Sequence, residues 1–100
     1  MRRGTTPKHT FKTDVDLTDA SVIYLTYKQG GKTVLTKELE DLTVTSEEVS
    51  LELTQQDTLM FSTKGGDVDM QIRARFPDGS AIASNIIGVK VNAILREGVI

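Results

Sequence analysis

The most regular hydrophobic pattern in the chain lies between Asp67 and Val91. Val68-Asp69-Met70-Gln71-Ile72-Arg73-Ala74-Arg75-Phe76 alternates apolar and polar residues without a break. A period of two puts Val68, Met70, Ile72, Ala74 and Phe76 on one face of a strand, with Asp69, Gln71, Arg73 and Arg75 opposite. Pro77-Asp78-Gly79-Ser80 then reads as a turn: proline presets φ, aspartate bonds its own backbone, and glycine supplies the positive φ that closes a hairpin. A second arm carries Ala81, Ile82, Ala83, Ile86, Ile87, Val89 and Val91. Ser84-Asn85 interrupts its alternation and predicts a bulge or kink. Such a hairpin has one apolar face that only a second sheet or a helix can cover.

Upstream, Lys8 to Val15 alternates loosely, with His9, Phe11, Thr13 and Val15 on one side. Asp16 to Ala20 is turn-forming. Ser21 to Lys28 is a strong strand with Val22, Tyr24 and Thr26 facing one way and Ile23, Leu25 and Tyr27 the other. Both faces being apolar predicts a central strand, or one covered on its outer side by a partner, with one tyrosine in the core and one exposed. Gln29-Gly30-Gly31-Lys32 is a tight reversal in which the glycines supply both positive φ values. Thr33 to Leu39 returns, with Leu35 and Leu39 on one face and Val34 on the other. Leu42 to Thr45 is a short strand, and Val49 to Leu53 alternates cleanly. The one helical candidate lies near residues 55–61, where Thr54 caps the N-terminus, Asp57 completes a capping-box-like pair, and Leu59, Met60 and Phe61 pack inward.

About seven short strands with turns between them, and one short helix crossing between the fifth and sixth strands, predict an all-β fold. The leading form is an immunoglobulin-like antiparallel β-sandwich; a small closed barrel is its rival. Residues 8–95 form the single β-sandwich domain, 1–7 a flexible arm and 96–100 a C-terminal tail.

Composition narrows the picture. A chain of 100 residues is one domain, able to bury about 65% of its unfolded surface. Aromatic residues are 5% of the chain, with no tryptophan, so the core must be aliphatic. The absence of cysteine excludes disulfides, thiol catalysis and thiolate metal sites. A net charge of −2 argues against a nucleic-acid partner, which asks for a basic stripe. The N-terminus is basic but leads into Thr5, Thr6, Pro7 and Lys8 rather than an apolar run. No signal peptide or membrane span is predicted, and the expectation is a soluble chain that does not use the Sec route.

Candidate chemistry is sparse. His9, the only histidine, has no second ligand in its neighbourhood and reads as a surface strand residue. Asp14, Asp16 and Asp19 lack the glycine and terminal glutamate of a calcium loop, so a solvated turn is the expectation. Glu47-Glu48 and Glu38-Glu40-Asp41 sit at strand ends, where charges guard against edge pairing. Ser80, Ser84 and Thr58 have no base placed by a recognisable motif. The glycine pairs Gly30-Gly31 and Gly65-Gly66 do not open helices, so they are turns rather than phosphate cradles. No catalytic, metal, cofactor or small-molecule substrate site is expected. Arg73 and Arg75, two apart on the polar face, could form a basic strip for an acidic partner. With Arg2, Arg3 and Tyr27 they make up the candidate partner-binding residues.

Several short motifs together carry a resemblance: Arg3-Gly4-Thr5-Thr6-Pro7 at the start; Asp16-Leu17-Thr18 before a strand ending Tyr27-Lys28-Gln29-Gly30-Gly31-Lys32; Leu53-Thr54-Gln55-Gln56-Asp57-Thr58-Leu59; and Gln71-Ile72-Arg73 leading to Asp78-Gly79-Ser80-Ala81 and Ala83-Ser84. The pattern resembles small prophage-encoded proteins of Gram-positive bacteria. It is also similar, more distantly, to the N-terminal module of phage baseplate upper proteins. The resemblance implies an immunoglobulin-like building block of a virion tail or baseplate, with other virion subunits as partners and a homo-oligomer in view. Its setting would be the virion, or the host cytoplasm during assembly. A carbohydrate- or surface-binding module is the alternative.

Overall fold

The computed structural model describes residues 1–100. Eight strands form two antiparallel sheets. They are β1 (Lys8–Lys12), β2 (Val22–Gln29), β3 (Lys32–Glu38), β4 (Thr43–Val44), β5 (Glu48–Glu52), β6 (Val68–Arg75), β7 (Ala81–Ala83) and β8 (Ile87–Val89). A 3-10 turn, Leu39–Asp41, follows β3, and α1 (Gln55–Leu59) lies between β5 and β6. One sheet has the order β1-β5-β4; the other runs β3-β2-β6-β7, with β8 also paired to β6. Hairpins join β2 to β3, β4 to β5 and β6 to β7; the links β1–β2, β3–β4 and β5–β6 cross between sheets, and β7 and β8 both pair with β6. That is a Greek-key-like order for an antiparallel β-sandwich. The N-terminal arm adds a parallel bridge, Arg2 to Asn92.

β2 lies inside its sheet, between β3 and β6, and its outer face stays uncovered, with Tyr24 44% exposed. Its register against β6 sets Leu25 opposite Ile72 and Tyr27 opposite Met70, so Ile23, Leu25 and Tyr27 face inward. With Val49, Leu51, Leu53, Val68, Met70, Ile72 and Phe61 they form the buried core. Burying each such aliphatic side chain stabilises the fold by about 1.5–3 kcal/mol. Gly30 and Gly31 both take positive φ, 59° and 77°, in the two-residue loop that pairs Gln29 with Lys32.

The interruption at Ser84-Asn85 is a bulge. Arg73 pairs with Ala83 but Met70 pairs with Ile87, so the last strand carries one residue more than β6 across that gap. Ser84 bridges it: its N–H donates to the Ile72 carbonyl at 2.8 Å, and its Oγ accepts from the Ile72 N–H at 3.0 Å. The bulge divides the expected single strand into β7 and β8.

Two expectations need correction. The helix ends at Leu59, and Met60 is 56% exposed while Phe61 is buried; successive residues of a helix point about 100° apart, so three in a row cannot all turn inward. The capping box itself is present, with the Asp57 N–H donating to Thr54 Oγ1 and the Thr54 N–H to the Asp57 carboxylate, both at 3.0 Å. The arm 1–7 is held down rather than free. The Asn92 N–H donates to the Met1 carbonyl, the Arg3 N–H to the Asn92 carbonyl, and Thr58 Oγ1 to the Thr5 carbonyl at 2.9 Å.

Candidate functional site

The polar side chains of the interior join elements of the fold. Tyr27 is fully buried, which corrects its expected role as an exposed partner contact. The two tyrosines lie on opposite faces of β2, and the exposed one is Tyr24, at 44%. The Tyr27 hydroxyl lies 2.8 Å from His9 Nδ1, joining the β2 sheet to the β1 sheet. His9 is therefore half-buried rather than a simple surface residue. Burial, with the positive N-terminus adding to it, pushes the His9 pKa below its ordinary 6.5. Burial, and secondarily the charge of Asp57, pushes the Tyr27 phenol well above 10. Both shifts favour the neutral pair, with the phenol donating to an unprotonated Nδ1.

Asp57 lies beside this pair and meets Lys37 Nζ at 3.0 Å. Burial raises its pKa, but the Thr54 N–H and the Lys37 ammonium outweigh that and hold the carboxyl below its usual range. The other perturbed carboxyls belong to turns. Asp16 is lowered by hydrogen bonds from the Thr18 hydroxyl and N–H, and Asp78 by the same groups of Ser80. No three histidine or acidic side chains converge as metal ligands would, and no helix is long and apolar enough to cross a membrane.

The five residues expected to bind a partner are not brought together. The Arg3 guanidinium turns inward, donating to the Phe61 carbonyl at 2.7 Å and the Leu59 carbonyl at 3.1 Å, and it meets the Glu97 carboxylate. It clamps the chain ends to the loop after α1 instead of reaching out. Arg2 donates to the Ala93 carbonyl at 2.5 Å. Arg73 and Arg75 stand exposed on the outer face of β6, with Tyr24 and Val22 opposite them on β2, around a shallow depression.

A larger concavity lies elsewhere. It is a cavity of about 540 Å³ open to solvent, between β1 and its downstream loop on one side and β7, the bulge and β8 on the other. Phe11, Val15, Leu17, Ile72, Ile82 and Ile87 give it an apolar lining. Val15 is 45% exposed and Ile87 44%, although the alternation of the last strand turns Ile87 toward the interior. This is the side of the sandwich that a strand ahead of β1 would close. The hydrophobic pattern could not reveal it, because the same residues read simply as core. No protein-family model, characterised protein or solved structure matches this chain.

Proposed function

We propose that this chain is a non-enzymatic structural or assembly module of a phage or prophage tail or baseplate, working through protein–protein contacts. The observation that carries the contact role is the open apolar seam between β1 and β7–β8, with Val15 and Ile87 exposed along it. An uncovered apolar strip on a small domain is a surface for another protein. The perturbed polar groups support the non-catalytic part of the reading. Asp16, Asp57 and Asp78 hold backbone and hydroxyl groups of their own turns, and His9 is engaged by Tyr27. The phage setting rests on the resemblance of the chain's motifs to prophage and baseplate proteins.

A carbohydrate-binding surface would need several exposed ring faces. Tyr24 is the one aromatic side chain that is largely exposed, so this alternative has little to build on. The test is light scattering coupled to size-exclusion chromatography, on the purified chain alone and mixed with the products of genes next to its own. A stable complex with one of them, or a defined homo-oligomer, is expected. A monomer in every mixture would overturn the proposal.

A further inference from the structure

The ladder between β1 and β5 determines which backbone groups of β1 are used. The Thr13 N–H donates to the Glu47 carbonyl, and the Pro7 carbonyl accepts from the Leu53 N–H, both at 2.9 Å. With Thr10 opposite Ser50, this parity directs the backbone of His9 and Phe11 toward β5 and that of Lys8, Thr10 and Lys12 away from it. Nothing in the chain bonds those outward groups. Across the seam, Ser84 and Ser80 bond β6, so the backbone of Ala81 and Ala83 also points outward. An apolar cavity thus lies between two unpaired strand edges, a combination that sandwiches ordinarily avoid. Thr13 Oγ1, in the wall beside β1, is buried without a hydrogen-bond partner.

We propose that this seam receives an extended strand from a different polypeptide, which adds to the free edge of β1. Its aliphatic side chains enter the seam, and acidic ones lie outside, beside Lys8 and Lys12. The proposal rests on the assembly role given above and names the kind of partner that role requires. Backbone pairing to an open sheet edge, with pockets for alternate side chains, is an established mode of peptide recognition.

Charge decides the occupant. On the side already paired, Lys8 stands opposite Glu52 and Lys12 opposite Glu48, with Val49 and Leu51 facing inward. A strand matching the other side needs the same alternation of acidic, aliphatic, polar, aliphatic and acidic residues. A second copy's own β1 edge is a poor match, because full-register antiparallel pairing sets Lys8 against Lys12 and no shifted register supplies an acid. Its β7 edge, Ala81–Ala83, carries no acid. The chain's own stretch of the required pattern, Glu48–Glu52, is already held between β1 and β4.

The experiment uses a fluorescein-labelled peptide, Glu-Val-Ser-Leu-Glu-Val-Ser-Leu-Glu, titrated against the full chain by fluorescence anisotropy. Controls are a rearranged peptide without alternation and one with lysine in place of glutamate. The decisive variant is Thr10→Pro, which removes only an outward N–H and leaves the β1–β5 ladder intact. Its urea midpoint should stay near that of the parent chain. Saturable binding is expected, weakened about tenfold or more by Thr10→Pro, by Lys12→Glu and in both control peptides. Absence of saturable binding, or equal binding by Thr10→Pro, overturns the proposal. So does self-association of the parent chain that Thr10→Pro abolishes, since the occupant would then be a second copy. If a complex with a neighbouring gene product survives Thr10→Pro, strand addition falls while the assembly role stands. If the peptide binds as expected but the chain forms neither a complex nor an oligomer, strand addition stands and the assembly role falls.

Discussion

The hydrogen bond between Tyr27 and His9 gives a sharp test of how the sheets are joined. Tyr27→Phe keeps the ring, its 5.9 Å contact with Phe61 and nearly all of its buried area; only the hydroxyl at 2.8 Å from His9 Nδ1 is lost. A buried hydrogen bond of this kind contributes about 1 kcal/mol net, and a partner left unpaired adds a desolvation cost of about 1–3 kcal/mol. His9 is half-buried, so water can partly replace the phenol, and the expected loss is about 1–2 kcal/mol. In a domain of this size each kcal/mol lowers Tm by about 4–8 °C. The assay is urea unfolding at pH 7.5 of the parent chain, Tyr27→Phe, His9→Ala and the double variant. The coupling energy from the cycle should be about 1 kcal/mol. Additivity within about 0.3 kcal/mol would mean that the two side chains do not interact, and that sheet packing at this end is wrongly described.

Two further outcomes follow from the same interior. His9 has its folded pKa below the ordinary 6.5, so its neutral form contributes fully above pH 6.5. As pH falls below that value the unfolded chain takes up the proton first, and stability is lost until the folded pKa is passed. Urea midpoints between pH 7.5 and 5 should fall in the parent chain and fall less in His9→Ala; equal slopes would remove His9 as the cause. Ile72, 4% exposed opposite Leu25, should not tolerate a charge. Ile72→Asp loses about 2–5 kcal/mol of packing and strands a carboxylate, enough to unfold a domain of about 5–15 kcal/mol. Arg73→Ala, on the outer face, should stay within about 0.5 kcal/mol of the parent. A native circular-dichroism melt for Ile72→Asp would show that the inward face of β6 is misassigned.

Legibility in the sequence followed burial. In β5 and β6 one face is covered and the other wet, so alternation located both strands and their inward residues. In β2 both faces are apolar, and nothing local distinguished Tyr24 from Tyr27; the register that sets Tyr27 opposite Met70 settles it. The arm was misread because its partners, Asn92 and the loop after α1, are far away in the chain. Arg3 looked available for the same reason. The bulge was visible because Ser84-Asn85 breaks a period that resumes beyond it. The seam had no sequence signal at all. It arises between two unpaired strand edges, β1 and β7, and Ile82 and Ile87 show the same alternation whether or not they are covered.

Amide hydrogen exchange resolved by residue tests most directly the claim that β1 is paired on one side and open on the other. In the free chain at neutral pH, the amides of His9, Phe11 and Thr13 should be protected. Those of Thr10 and Lys12 should exchange close to the rate of an unstructured peptide. Protection of all five alike would mean that the edge is already covered, and the open seam with the role assigned to it would be contradicted.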